Sequence, residues 1–170
     1  MRTASRRVFV RRLFVLLVGA LAVDGCGGGT EPSGSDLFMR FRANGTLTEY
    51  SLPAGLLTAV NNTTGQSNAA TSGNDGGATF MTLQVFDVAP IQLGTYAGFT
   101  ITTGAVGAII GYRNALGIDF VSGTAAPEAT IVITELGATR VGGTFFGVLH
   151  ESGQPDVSLT EGQFLTARVN

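Results

Sequence analysis

Leu37-Phe38-Met39-Arg40-Phe41-Arg42-Ala43-Asn44-Gly45-Thr46-Leu47-Thr48-Glu49-Tyr50 is the stretch that decides the fold class. Leu37, Met39 and Phe41 alternate with Phe38, Arg40 and Arg42. That period of two is what a strand with one buried face requires. Asn44-Gly45 ends the run. Both central positions of a two-residue hairpin turn need φ > 0, and asparagine and glycine adopt it cheaply, so residues 46–50 are expected to return antiparallel to residues 37–43.

The same chemistry recurs toward the C-terminus. Residues 78–86, 95–102, 106–113, 118–122, 129–135, 140–150 and 157–169 are short apolar runs bounded by turn residues, the spacing of a sandwich or barrel. In four of them the odd-numbered positions carry the apolar face: Met81, Leu83 and Val85; Ala97, Phe99 and Ile101; Ala129, Ile131 and Ile133; Leu165, Ala167 and Val169. One-sided alternation implies one buried and one solvated face. Gly142, Gly143 and Gly162 fall inside the last two runs, where glycine marks a bulge or a close backbone approach. Links such as Leu136-Gly137-Ala138-Thr139 are too short for crossover helices, so the sheet is expected to be mostly antiparallel. The expected fold is all-β, an antiparallel β-sandwich over residues 37–170, with a small β-barrel as the alternative. Residues 52–60 read either as a short helix opened by Pro53 or as irregular edge structure. Residues 61–77 hold no large apolar side chain and read as a long loop or a disordered insert.

Working outward to the N-terminus, Arg2, Arg6, Arg7, Arg11 and Arg12 precede an apolar run over residues 13–23, and Val23-Asp24-Gly25-Cys26 follows. A charged segment, a short apolar segment and a small residue before a cut site make a secretory signal. An apolar run of this length is too short to span a bilayer as a helix. Cys26 is the only cysteine, and Gly27-Gly28-Gly29-Thr30-Glu31-Pro32-Ser33-Gly34-Ser35 follows it as a tether. The chain is thus expected to divide into a lipoprotein signal peptide at 1–25, a lipidated Cys26 with a flexible linker at 26–36, and one β domain at 37–170. Asp24 is unusual before such a cysteine, and Ala20-Leu21-Ala22 is a competing ordinary cleavage site. Cleavage there would carry a lone thiol into an oxidising compartment, an oddity that lipidation removes. Ser5-Arg6-Arg7-Val8-Phe9-Val10-Arg11 resembles the twin-arginine export pattern, while an arginine-rich leader serves the general route equally, so both routes stay open. Gly27, not an aspartate, follows the cysteine, which points to the outer membrane of a two-membrane cell. Nine tether residues span roughly 15 to 18 Å as a coil.

Loss of residues 1–25 from the 170 leaves 145, with five arginines against eleven acids and a net charge of −6. So acidic a chain lacks the electrostatic footprint for nucleic acid or anionic headgroups. Membrane attachment would rest on acyl chains, and more than one is needed for a stable anchor. One cysteine and one histidine, His150, exclude an internal disulfide and a zinc cluster of the usual ligands, and no cofactor is implied.

Phe41-Arg42-Ala43-Asn44-Gly45, Leu93-Gly94-Thr95-Tyr96, Gly143-Thr144-Phe145 and Val157-Ser158-Leu159-Thr160-Glu161-Gly162-Gln163-Phe164 occur in an order that resembles uncharacterised bacterial lipoproteins. The resemblance covers most of residues 37–170 and implies a small β-sandwich domain of unknown function. The chain differs from that pattern in lacking a tryptophan after Asn44-Gly45. The family has no established activity, so the resemblance assigns no functional residue.

Chemistry-bearing candidates are few. His150 is the one side chain suited to act as a base near neutral pH, and a hydrolytic role needs a serine and a carboxylate to converge on it. No G-x-S-x-G elbow occurs, and a histidine at a strand end is by default exposed near a turn. Glu151, Asp156 and Glu161 could suggest calcium or a glycosidase pair, but they lack the calcium-loop spacing and sit among turn residues. A glycan-binding platform would have to come from Tyr50, Tyr96 and Tyr112, on separate strands. No catalytic or metal-binding residue is assigned, and Cys26 is the assigned lipid attachment. Two functions follow as expectations. One is a non-catalytic envelope module contacting an envelope protein or glycan; the other is a small hydrolase or ligand carrier whose site, at one end of the sandwich, involves His150.

Overall fold

A computed structural model describes residues 36–51, 55–77, 79–101, 104–123 and 128–169 of the chain. The expected signal peptide, Cys26, the tether and the Pro53 helix start lie outside the described residues. Every element among the described residues is a strand: β1 (Phe38–Ala43), β2 (Thr46–Ser51), β3 (Leu57–Thr63), β4 (Gln66–Asn74), β5 (Phe80–Asp87), β6 (Gly94–Ala97), β7 (Phe99–Ile101), β8 (Ala105–Arg113), β9 (Asp119–Ser122), β10 (Ala129–Leu136), β11 (Arg140–His150) and β12 (Val157–Val169). The all-β class read from the sequence holds.

The opening hairpin forms as its residues dictate. Asn44 and Gly45 take φ of 49° and 82°, and Ala43 faces Thr46 across the turn. Strand order runs β2-β1-β12-β3-β4-β5-β8-β9-β11-β10-β6, and β12 also pairs with β11. The path β3-β4-β5-β8-β9-β11-β12 therefore returns to β3, with β1-β2 attached to β12 and β10-β6 attached to β11. All pairings among the described residues are antiparallel except β12 with β3, where Ala167, Arg168 and Val169 run parallel to Leu57, Thr58 and Ala59.

Phe41 sits at the centre of the core. Its ring meets those of Tyr50, Tyr112 and Phe145 at centroid distances of 5.7, 5.6 and 5.9 Å, so β1, β2, β8 and β11 all contribute to one aromatic cluster. Met81, Leu83, Val85, Ile131 and Ile133, expected inward, are buried.

Three expectations need correction. Residues 61–77 are not a loop: β3 runs through Asn61 and Asn62, and β4 occupies residues 66–74 between β3 and β5. Small side chains let β4 be covered on both faces. Ser67, Ala69, Ala70, Thr71 and Ser72 are all buried, and Gly73 leaves room for Tyr50, Leu56 and Met39. Their polarity is answered internally, since Thr58 Oγ1 shares hydrogen bonds with Thr71 Oγ1 and Thr166 Oγ1, and Thr166 donates to Val141 O. A buried hydroxyl so satisfied carries little penalty.

The facing of Leu165, Ala167 and Val169 is reversed. Val157 and Leu159 point inward, then the chain bulges at Glu161 (φ 54°) and Gly162, and from there Phe164 and Thr166 are the buried side chains. One extra residue shifts the parity of everything after it. A Cβ on Gly162 would run into the Phe145 carbonyl, and one on Gly143 into that of Val132. Likewise the single strand expected from residue 95 onward is two, β6 and β7, broken at Gly98 (φ 60°), so Tyr96, not Ala97, is the buried neighbour of Phe99.

Candidate functional site

β11 places His150 by simple alternation. Val141, Phe145 and Leu149 point into the core, Thr144, Phe146 and Val148 point out, and His150 follows at the strand end, its side chain 40% exposed. The turn that follows reverses through Gly153 (φ 80°) and returns Asp156 to the histidine. His150 Nδ1 lies 2.7 Å from Asp156 Oδ1. A carboxylate only accepts, so Nδ1 is the donor at this contact. On the other side of the ring, Nε2 lies 3.7 Å from Glu128 Oε1.

Glu128 reaches the site because β10 and β11 pair with Ala129 opposite Gly147, and Val148 N donates to Glu128 O at 2.8 Å. Its carboxyl packs against Gly123, where a Cβ would collide with it, and Oε2 is buried without a hydrogen-bond partner among the described residues. The β1–β2 turn braces the same end. Asn44 N donates to Ser158 O, and Asn44 Oδ1 accepts from Ser158 N at 2.8 Å, fixing the start of β12 just after Asp156.

In a Ser-His-Asp arrangement the nitrogen opposite the orienting carboxylate faces the nucleophile. Here that nitrogen faces a second carboxylate. The three acids grouped in sequence separate: Asp156 meets His150, and Glu161 pairs with Arg42 at 3.0 Å. Among the described residues no set of three or more histidines, cysteines and acids is placed to hold a metal ion.

No protein-family model, curated protein or solved structure matches this chain.

The tyrosines do not form an exposed platform. Tyr50 and Tyr112 are buried against Phe41, and Tyr96 is buried on β6. Burial pushes the phenols of Tyr50 and Tyr112 above the usual tyrosine range. A depression of about 450 Å³ lies apart from the histidine, between residues 87–93, β6 and the start of β8, and shares no lining residue with the His150 cluster.

Glu128 was the residue sequence reasoning missed. It lies 22 positions before His150, and only the β10–β11 register joins them. The signal was available in Leu136-Gly137-Ala138-Thr139, since a tight hairpin there folds residue 129 back toward residue 147.

Proposed function

We propose that this chain is a lipid-anchored protein of the bacterial cell envelope, exported through its leader, held by acyl chains on Cys26, and acting through contacts with an envelope protein or glycan without catalysis. The anchoring part rests on the leader and on the small-residue tether after the sole cysteine. The non-catalytic part rests on one observation, that His150 is bracketed by Asp156 and Glu128, with a carboxylate where a serine nucleophile would be needed. Outward Phe146 and Val148 beside it, 49% and 38% exposed, suit a contact surface better than a reaction site.

The closed strand path with Phe41 packed between β2, β8 and β11 fits a flattened sheet, a β-sandwich in cross-section whose sides are joined by hydrogen bonds. Such a scaffold, with turns clustered at its ends, presents loops rigidly. This also fits the resemblance to lipoproteins with small β-sandwich domains. One observation favours the second reading, a small hydrolase or ligand carrier: the 2.7 Å Asp156 contact would orient His150 as a base.

Mass spectrometry of the mature N-terminus tests the anchored reading. The expected first residue is Cys26 bearing a diacylglyceryl group. A mature chain beginning at Val23 with an unmodified thiol overturns it.

A further inference from the structure

The strand order ends at β6, whose strand partner among the described residues is β10 alone. Gly98 N donates to Ala129 O at 3.0 Å, in register with Tyr96 opposite Ile131 and Gly94 opposite Ile133. In an antiparallel pair alternate residues carry the bonds to the neighbouring strand. Gly94, Tyr96 and the Gly98 N–H therefore bond toward β10, the Gly98 C=O accepts from Ala108 N on β8 at 2.6 Å and so closes one end of the edge, and the main-chain N–H and C=O of Thr95 and Ala97 point away from β10.

That other way lies the depression of about 450 Å³, lined by both Thr95 and Ala97. Its far wall, residues 87–93, is pinned at three points. Tyr96 Oη accepts from Gln92 N and donates to Gln92 O at 3.0 Å, Ile91 N donates to Asn62 Oδ1 at 3.0 Å, and Ala89 N donates to Asp87 Oδ1 at 3.0 Å. The floor is Val106 and Gly107. Gly107 (φ 116°) has no Cβ to strike the Gly98 carbonyl, which lets β8 pass under the β6–β7 break. The result is a preformed slot with an unpaired strand edge on one side and exposed Leu93 and Val106, 62% and 39% accessible, beside it.

An unpaired edge supplies main-chain hydrogen bonds to any extended chain, and adjacent side chains select among chains. Among the described residues that line the slot Asp87 is the only charged one, and residues 26–170 carry a net charge of −6. We propose that this slot takes an extended, basic segment of another polypeptide as an added strand on β6. A second copy of the chain is disfavoured, because edge-to-edge pairing would bring two acidic domains together. The proposal rests on the envelope-contact reading and names the chemistry of the partner.

The probe is the acetylated, amidated pentapeptide Val-Arg-Val-Arg-Val, titrated into the full chain as purified from cells, with amide and methyl shifts followed by NMR. Saturable shifts are expected at the Thr95 and Ala97 amides and at the Leu93 and Val106 methyls. N-methylation of the peptide at two inward-facing amides should weaken binding roughly tenfold or more through two lost hydrogen bonds. Asp87→Asn, which keeps the acceptor for Ala89, should weaken it about twofold to fivefold. Unmoved Thr95 and Ala97 amides, or equal binding by the N-methylated peptide, overturn strand addition. Equal binding by Val-Glu-Val-Glu-Val overturns the basic partner, and Thr95 and Ala97 shifts that change on dilution without peptide assign the edge to a second copy instead. An unlipidated N-terminus would refute the anchor while leaving these outcomes as they stand.

Discussion

Alanine at Phe164 and at Leu165, in separate variants, tests whether the bulge at Glu161 and Gly162 sets the facing of β12. Phe164 is 3% exposed and its ring lies 6.4 Å from that of Phe145, whereas Leu165 is only partly buried, packed against the margin of the core. Truncating a core phenylalanine costs about 3 to 5 kcal/mol. A half-buried leucine, at about half the 1.5 to 3 kcal/mol of full burial, costs about 1 kcal/mol. With a slope of about 2 kcal/mol per molar urea, the midpoints fall by about 2 M and about 0.5 M. The assay is urea unfolding of residues 26–170 carrying Cys26→Ser, followed by far-UV circular dichroism because the chain has no tryptophan. Unbulged alternation from Leu159 would put Leu165 inside and Phe164 in solvent. A Leu165→Ala loss equal to or larger than the Phe164→Ala loss would refute the bulge as the cause of the reversal.

Gly143→Ala should cost about 1 to 3 kcal/mol in the same assay, because its Cβ meets the Val132 carbonyl and must part β10 from β11; an unchanged midpoint would contradict that close approach. Tyr50→Phe should leave stability at pH 7 within about 1 kcal/mol of the parent, since the deeply buried Tyr50 hydroxyl makes at most a poorly aligned contact with Thr79. The folded-state phenol is shifted up by burial, so above the ordinary value of 10.0 the unfolded chain gives up its proton first and the parent loses stability as pH rises. Tyr50→Phe should lose less between pH 7 and about pH 11, and an equally steep loss would place the alkaline sensitivity elsewhere.

The fold was legible wherever local pattern and tertiary facing agree. Asn44-Gly45 specified its own turn, and Ile131 and Ile133 lie inward because nothing interrupts the alternation before them. It was not legible where one residue changes parity. Glu161 is an ordinary exposed acid in sequence, yet its φ of 54° moves Phe164 into the core. β4 was missed because the absence of large apolar residues reads as a lack of core, although small side chains suffice where neighbouring chain lies close against both faces of a strand, as Tyr50, Leu56 and Met39 do at Gly73. Thr130, outward by alternation, is buried as well, opposite Ala97 on β6 and Phe146 on β11. His150 and Asp156 were both visible, but their contact depends on how a six-residue step folds around Gly153, and Glu128 depends on strand register. The β6 slot left one trace in the sequence, Gly98 inside an otherwise continuous run.

The proposed role has this domain held at the envelope and making contacts there. Cys26→Ala and His150→Ala, compared in the producing cell, test it most directly, with protein level and membrane fractionation measured alongside the phenotype of a deletion. Cys26→Ala is expected to release the protein from the membrane and reproduce the deletion, while His150→Ala retains location, level and function. Loss of function in His150→Ala at normal level and location would contradict it and make His150 part of a reaction site.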